Sequence, residues 1–127
     1  MAESRIFICR TCGNIVMFIN QGGGQLTCCG KPMEELKANT TDAAQEKHVP
    51  VVTVSGQTVK VVVGSTVHPM TEAHYIQWIY LRTKNGGQYK MLTPTDAPEA
   101  EFELAPGDEA VAVYEYCNLH GLWKADI

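Results

Sequence analysis

Apolar residues in this chain come in short runs separated by polar turns, and valine-rich runs begin at Val49. Val49–Val54 and Thr58–Val63 flank Ser55-Gly56, a pattern that predicts a β-hairpin. His74–Thr83 is a longer apolar stretch, and Asn85-Gly86 follows it as a tight-turn signal. This part of the chain is therefore expected to consist of strands.

Three further segments extend the predicted β structure: Gln88–Leu92, Glu101–Leu104 and Ala110–Tyr116. Glu99–Glu103 alternates charged and apolar residues, which favours a strand over a turn of helix. No stretch has the pattern of a convincing amphipathic helix. Short strands at this spacing predict an all-β sandwich.

The N-terminal segment differs from the rest of the chain. Arg5–Ile8 and Asn14–Ile19 predict two short strands, and Gly22-Gly23-Gly24 predicts a turn. A unit of this size buries too little apolar surface to fold alone and usually needs a metal or a second copy. The polar stretch Asn39–Ala44 predicts a linker. We therefore expect two domains, residues 1–37 and 38–127.

Composition and charge exclude several classes of protein. Hydrophobic residues make up 45% and charged residues 19% of the 127 positions, which indicates a globular chain and not a disordered one. No apolar run is long enough to predict a membrane span. The net charge of −4, without a Lys/Arg cluster, argues against a nucleic-acid partner. Met1–Phe7 lacks the pattern of a secretory signal, so a cytoplasmic location is expected.

The cysteines point to metal binding. An odd number of cysteines without an export signal argues against a disulfide framework. The five are Cys9, Cys12, Cys28, Cys29 and Cys117. The first four form two close pairs that suit one tetrahedral metal, although two disulfides or four unrelated thiols are the alternatives. Spacing alone does not distinguish zinc from iron, because both accept four thiolates.

Three motifs surround the first four cysteines: Cys9-x-x-Cys12-Gly13-Asn14-Ile15-Val16, Gly22-Gly23-Gly24 and Cys28-Cys29-Gly30-Lys31-Pro32-Met33. Together they resemble the desulforedoxin-type module of desulfoferrodoxins. The resemblance implies a rubredoxin-like Fe(Cys)4 centre held by these four cysteines, and a homodimer formed through the module.

The histidines form a second candidate group with Cys117. A lone histidine beside an apolar strand is more often a packing residue than a ligand. All four histidines, however, lie at the edges of predicted strands, where a sandwich brings its loops together. The group comprises His48, His68, His74, Cys117 and His120. Spacing alone leaves a shared metal site and separate packing roles equally open.

Longer motifs surround these residues: Glu46-Lys47-His48-Val49-Pro50-Val51, His68-Pro69-Met70-x-x-x-His74-Tyr75-Ile76-x-Trp78-Ile79 and Cys117-Asn118-Leu119-His120-Gly121-Leu122-Trp123. They resemble the neelaredoxin-like catalytic domain of superoxide reductases. The resemblance implies an immunoglobulin-like β-sandwich and an iron with four imidazoles in a plane, an axial Cys117 thiolate and an open sixth position. It further implies reduction of superoxide to hydrogen peroxide without dioxygen release, with a rubredoxin-type protein as electron donor.

Glu46 and Lys47 precede the first histidine and allow two interpretations. Exposed neighbouring charges are usually a solvated pair without further function. In a regular strand Lys47 would point away from the face shared by Glu46 and His48, so a joint role requires a loop over the metal. The resemblance implies such a loop. Lys47 would then attract superoxide and help position a proton-donating water, and Glu46 would bind the resting ferric iron.

Two rival functions remain compatible with the residues. A pure electron carrier needs no open coordination position, whereas a reductase must have one. A binding module would hold a single structural zinc instead of two irons. Trp78, Trp123 and Tyr75 are expected to pack in the core or to line the site, and Met70 lies close enough in sequence to His68 to touch it.

Overall fold

The computed structural model describes residues 4–127. The chain divides into two compact units, Met1–Lys37 and Ala38–Ile127. The first unit contains only short strands. In chain order they are β1 (Ile6–Ile8), β2 (Ile15–Met17), β3 (Thr27–Cys28), β4 (Lys31–Pro32) and β5 (Glu34–Glu35).

The first unit is built around β1. This strand lies between β2 and β5 in an antiparallel sheet, with Phe7 opposite both Val16 and Glu35, while β3 and β4 form a separate hairpin. All three β1 residues are buried, and Phe7 meets Phe18 edge-on at 5.4 Å between ring centroids. The predicted strands are therefore present but shorter than expected, so the apolar core of this unit is small.

The second unit contains one helical turn and seven strands among the described residues. They are α1 (Gln45–His48), β6 (Pro50–Ser55), β7 (Thr58–Val63), β8 (Ile76–Thr83), β9 (Gly86–Met91), β10 (Glu99–Glu103), β11 (Ala110–Cys117) and β12 (Gly121–Asp126). A three-stranded sheet has the order β10-β7-β6, and a four-stranded sheet has the order β12-β11-β8-β9. All strand pairs in both sheets are antiparallel.

The two sheets share one apolar core, which makes this unit a β-sandwich, as predicted. In β7, alternate residues point inward, so Val59, Val61 and Val63 are buried while Lys60 is exposed. The buried cluster comprises Val59, Val61, Val63, Ile76, Ile79, Leu81, Leu92, Ala100, Phe102, Leu104, Val113 and Cys117. Residues from both sheets contribute to it, so the cluster holds the layers together.

The sandwich places the predicted ligands at one end. Pro50, where β6 begins, is opposite Val63, where β7 ends. Ile76, where β8 begins, is opposite Cys117, where β11 ends. Because these pairs lie at strand ends, the segments that precede β6 and β8 and follow β7 and β11 meet at the same edge of the fold. His48, His68, His74 and His120 lie in those segments.

The structure differs from the prediction at three places. β8 begins at Ile76 because His74 belongs to a turn in which its N–H donates to the Thr71 carbonyl at 3.1 Å. β12 was not predicted; it follows a turn closed by Gly121 at φ 80° and pairs with β11. The segment expected to loop over the metal forms the helical turn α1.

No helix within residues 4–127 is both long enough and apolar enough to cross a membrane.

Candidate metal centres

The first group of donors lies in the N-terminal unit. Its four sulfurs, from Cys9, Cys12, Cys28 and Cys29, all lie within 4.8 Å of one another. The Cys12 and Cys28 sulfurs are 3.6 Å apart, and those of Cys28 and Cys29 are 4.0 Å apart. Cys9 is buried at the end of β1, whereas Cys12 and Cys29 are exposed. Thus the side chains of two short segments converge on one point.

Backbone turns with positive φ bring these sulfurs together. Gly13, at φ 84°, donates its N–H to the Cys9 carbonyl at 2.8 Å and closes the turn that carries Cys12. Cys29 adopts φ 53°, which is unusual for a residue with a side chain and allows adjacent cysteines to face the same point. The cramped Cys28-Cys29 pair is therefore accommodated by the backbone.

The protonation equilibria of this group favour a bound cation. The backbone N–H of Cys12, with help from that of Thr11, lowers the pKa of Cys9 to about 6. The nearby sulfur of Cys12, followed by those of Cys9 and Cys28, raises the pKa of Cys29 to about 12. Four thiolates this close repel one another unless a cation lies among them. The residues present therefore fit a tetrahedral metal with four sulfur ligands.

The second group lies at the end of the sandwich and contains five donors within 4.8 Å of one another: His48, His68, His74, Cys117 and His120. The four imidazoles form a ring in the order His48, His68, His74 and His120. Neighbouring ring centroids are 4.6–4.9 Å apart, with planes at 79–90° to each other. His48 and His74 face each other across the ring at 6.4 Å. This is the arrangement of four ligands around one central ion.

Hydrogen bonds fix which nitrogen two of the histidines present. The Nδ1–H of His48 donates to the Ala44 carbonyl, and that of His68 donates to the Pro69 carbonyl, both at 2.7 Å. The unprotonated Nε2 atoms of both rings then face each other at 3.2 Å, and Nδ1 of His120 is 3.1 Å from Nε2 of His48. Two ligands at right angles, each about 2.1 Å from a metal, lie about 3 Å apart. The facing lone pairs therefore fit a shared cation.

Burial keeps these imidazoles neutral, the form that binds metals. Desolvation lowers the pKa of His68 to about 4, with smaller contributions from the neighbouring histidines. It also lowers the pKa values of His48 and His74. The Nε2 atom of His74 is buried and has no hydrogen-bond partner among residues 4–127. Such an orphaned nitrogen is expected where a ligand–metal bond belongs.

Cys117 approaches the same point from β11. Its Sγ lies 3.9 Å from Nδ1 of His120. Burial raises the pKa of the Cys117 thiol, while the backbone N–H groups of Leu119 and His120 oppose that rise. These N–H groups point at the sulfur and are suited to stabilise a thiolate bound to a cation.

α1 brings Glu46 and Lys47 to the site. Both side chains are exposed, and His48 at the end of the turn is buried. Burial is the main cause of the lowered pKa of His74, and the charges of His120, His48 and Lys47 add to it. Lys47 therefore lies within electrostatic reach of the imidazole ring system.

Gly64, which follows β7, packs directly against the helical turn. A Cβ atom at this position would lie 2.7 Å from the Glu46 carbonyl oxygen and 3.0 Å from that of Val49. The Glu46 carbonyl also accepts hydrogen bonds from the Thr66 N–H at 2.8 Å and the Ser65 hydroxyl at 3.3 Å. Residues 64–66 thus hold the turn that carries Glu46 and Lys47, through the Thr66 N–H, the Ser65 hydroxyl and the close approach at Gly64.

Sequence reasoning did not single out Gly64, and it also missed Glu115. It is fully buried on β11, both its carboxylate oxygens lack a hydrogen-bond partner among residues 4–127, and burial raises its pKa. Strand alternation was the available signal, because Val113, Glu115 and Cys117 share a face of β11.

Other expected lining residues divide between core and site. Trp123 does both: it is buried, stacks on His48 at 5.0 Å and donates its Nε1–H to the His120 carbonyl at 3.0 Å. Trp78 stacks on Tyr116 instead. The Met70 sulfur accepts the Ile76 N–H at 3.4 Å, so it supports the start of β8.

The chain matches known proteins over nearly its whole length. The family model "Desulfoferrodoxin, N-terminal domain" matches residues 2–36, and the model "Desulfoferrodoxin" matches residues 40–126. A desulfoferrodoxin of Nitratidesulfovibrio vulgaris is 52% identical over 124 residues, which cover 98% of this chain and 97% of that relative.

Solved structures agree with this assignment. The crystal structure of the superoxide reductase from Treponema pallidum is similar to this chain with a TM-score of 0.83 at 40% identity, covering 98% of this chain and 100% of the other. A superoxide reductase (1Fe-SOR) from Giardia intestinalis covers 65% of this chain and 97% of its own, with a TM-score of 0.56 at 35% identity. With two family models spanning both units, this chain belongs to the desulfoferrodoxin family.

Proposed function

We propose that this chain is a superoxide reductase that holds two irons. The observation that carries the proposal is the convergence of four imidazoles and one thiolate at the end of the sandwich. Two relatives support the reaction class: the superoxide reductase of Pyrococcus horikoshii, 33% identical over 99 residues, and that of Treponema pallidum. The reaction adds one electron and two protons to superoxide and yields hydrogen peroxide without dioxygen.

The proposed ligands follow from the two groups. His48, His68, His74, Cys117 and His120 hold the catalytic iron, and Cys9, Cys12, Cys28 and Cys29 hold an accessory iron. A structural zinc site has four ligands, so five donors of two kinds argue against that alternative for the second group. Four thiolates by themselves accept either metal, and family membership favours iron in the first group.

An iron held by these five residues would supply the electron to superoxide, and the thiolate of Cys117 would raise the electron density available for that transfer. The other tasks belong to the protein. The carbonyls of Ala44 and Pro69 orient two imidazoles through their Nδ1–H groups, which leaves Nε2 as the donor atom. His74 and His120 are half-buried, whereas the other three members are buried, and the side of these two histidines is therefore the proposed route of entry for superoxide.

Lys47 and Glu46 are proposed to act on the substrate and on the resting state respectively. Superoxide is an anion that approaches a chain of net charge −4, so a local cation at the site increases the rate of encounter. Lys47 is exposed and close enough to influence the site histidines, and it is suited to hold a proton-donating water. Glu46, its neighbour on α1, is proposed to bind the oxidised iron once the reaction is complete.

The first unit is proposed to be the desulforedoxin-like domain, residues 1–37, through which the protein forms a homodimer. β2 is an edge strand of its sheet, and it exposes the apolar side chains of Val16 and Met17. An exposed edge of this kind is suited to pair with a second copy. Val16→Lys should convert a dimer into a monomer in sedimentation experiments.

Residues 38–127 are proposed to form the immunoglobulin-like catalytic domain. None of the five cysteines, all of which lie within residues 4–127, forms a disulfide, which suits a reducing cytoplasm and a role in superoxide detoxification. A rubredoxin-type protein is the proposed electron donor, with neither membrane nor nucleic acid as a partner.

Stoichiometry tests the proposal. Reduced iron-loaded protein is mixed with superoxide generated by pulse radiolysis, while peroxide and dioxygen are both measured. A reductase yields one peroxide for each superoxide and no dioxygen. Protein loaded with zinc in both groups is the matched control and should not react. Dioxygen release would indicate dismutation. If the iron form consumes superoxide no faster than the zinc form, the reductase proposal fails and an electron carrier or a binding module remains.

A further inference from the structure

The amide side chain of Asn118 bonds to the backbone on both sides of His74. Its Oδ1 accepts the Tyr75 N–H at 2.9 Å, and its Nδ2 donates to the Ala73 carbonyl at 3.0 Å. The backbone N–H of Asn118 also donates to the Tyr75 carbonyl at 3.2 Å. Three hydrogen bonds therefore connect the residue that follows Cys117 to the two residues that flank His74.

His74 depends on such support more than His48 and His68 do. The rings of those two residues are oriented by hydrogen bonds from Nδ1 to backbone carbonyls. No such bond from the His74 ring is found among residues 4–127, and its Nε2 is buried without a partner there. The position of this imidazole is consequently set by the backbone that carries it, and the Asn118 amide holds that backbone.

The other end of the connection is the turn between β11 and β12. This turn carries two further donors, the Cys117 thiol and Nδ1 of His120, whose atoms are 3.9 Å apart. A change in the distance between the two segments would move His74 relative to both donors. Asn118 is the side chain that spans them, and only an amide offers a donor and an acceptor in the required positions.

We infer that Asn118 is a positioning residue, which holds His74 at a fixed distance from the Cys117–His120 turn and thereby sets the geometry of the second metal group. The inference rests on the ligand set proposed above but not on the superoxide reaction. Residues that orient metal ligands typically change metal affinity 10- to 100-fold when they are replaced.

Asn39 provides a matched control within the same unit. Its Nδ2 donates to the Lys124 carbonyl at 3.2 Å, and its Oδ1 accepts the Lys124 N–H at 2.8 Å, so it makes a similar two-bond contact to the backbone of β12, which carries no metal donor. It adopts φ 61°, so Asn39→Gly removes the contact without imposing strain.

The test measures cobalt(II) binding to the full-length chain in which Cys9, Cys12, Cys28 and Cys29 are all replaced by serine, so that Cys117 is the one remaining thiol. Affinity is obtained by chelator competition, and the sulfur-to-cobalt charge-transfer band reports the Cys117 bond. Asn118→Ala should weaken binding about 10-fold or more and shift the band. Asn39→Gly should lower the free energy of unfolding of the metal-free protein about as much as Asn118→Ala does. It should leave both the cobalt affinity and the charge-transfer band unchanged.

Asn118→Asp keeps the shape of the side chain and the acceptor for Tyr75 but loses the donor to Ala73. It should also weaken cobalt binding, and it carries the test if Asn118→Ala does not fold. Parental affinity and an unshifted band in both Asn118 variants would overturn the inference. An equal loss of affinity in Asn39→Gly would also overturn it, because the effect would then be one of general stability. Neither measurement involves superoxide, so failure of the reductase proposal would appear separately.

Discussion

The two units bring their metal ligands together by different means. In the first unit the four sulfurs come from two short segments, and the strands beside them are two or three residues long. In the second unit the donors are spread from His48 to His120, and a sandwich with strands of up to eight residues brings them together. Long strands with a shared core can arrange ligands before a metal binds, whereas short turns cannot.

Access to the two groups differs as well. Cys12 and Cys29 expose their side chains, whereas His48, His68 and Cys117 are buried. Exposure favours exchange of the metal with chelators and contact with other proteins. Burial limits the access of solvent and of large molecules to the second group. We therefore expect the metal of the first unit to stabilise the fold of that unit. In the second unit, the fold holds the metal ligands in position.

Removal of both metals should produce the largest difference between the units. With strong chelator under reducing conditions, the first unit is expected to unfold and the second to keep its strands, because only the second has a substantial apolar core. Hydrogen exchange followed by peptide-level mass spectrometry measures each unit separately. Zinc added back should restore protection in the first unit. Equal protection of both units after chelation would remove the distinction.

Replacing ligands in each unit separately should distinguish the metal that takes part in the chemistry from the one that does not. Cys117→Ser should abolish both the sulfur-to-iron charge-transfer band of the second group and the reaction with superoxide, because the thiolate is lost. Converting Cys28 and Cys29 to serine should remove one iron per chain and leave that reaction in place. Visible spectra, metal analysis and pulse radiolysis check both. Survival of the band and the reaction in Cys117→Ser would mean that the sulfur ligand is misassigned.

The charges on α1 should affect only the second unit, and by a smaller factor. Lys47→Ile is expected to slow the encounter with superoxide about 10-fold and to flatten its dependence on ionic strength. Glu46→Ala should leave this first step nearly unchanged and alter the spectrum of the oxidised iron. Lys84, an exposed lysine at the far end of β8, provides the control variant Lys84→Ile. If the encounter rate of Lys47→Ile depends on ionic strength as steeply as that of the parent, a steering role is contradicted. If Glu46→Ala binds superoxide much more slowly than the parent, a role of Glu46 confined to the oxidised state is contradicted.

The smallest expected effect is a pH dependence of the metal-free second unit. The pKa of His68 falls from 6.5 to about 4 on folding because the ring is buried. Between these values the unfolded chain binds the proton and the folded chain does not, so stability rises with pH and is lost on acidification from about 6.5 towards 4. Urea titrations across this range measure it. His68→Phe should flatten the slope, and the first unit, which lacks histidine, should show none of it.

Regular elements are predictable where the pattern of side chains is regular. Thr58–Val63 alternates as a two-sided strand and has the bounds that its pattern predicts. Glu99–Glu103 shows the same alternation, and the structure contains it as β10. β12 escapes prediction because Gly121–Asp126 has no clear alternation and exists through its pairing with β11. The helical turn α1 is four residues long, too short for any periodic pattern to reveal.

The donors are easier to find than the residues that position them. Cysteine and histidine bind metals through their own side-chain atoms, so residue type and spacing suffice to name the members of both groups. Asn118 and Gly64 do not stand out in this way, because a bidentate contact to the backbone and a missing side chain have meaning only once distant segments are adjacent. Glu115 can be seen in the sequence as a charged residue within an apolar strand. That its carboxylate has no hydrogen-bond partner among residues 4–127 depends on the packed core, which the sequence does not show.

Gly64 has a consequence for protein engineering. The helical turn Gln45–His48 packs against Gly64, and this contact is possible because position 64 has no side chain. The turn therefore cannot be moved to another protein by itself. A designer who transplants it to another sandwich must transfer residues 64–66 with it, because the Thr66 N–H and the Ser65 hydroxyl donate the two hydrogen bonds to the Glu46 carbonyl. A saturation library of the whole chain should find position 64 as intolerant as a metal ligand, although it offers no atom to any metal.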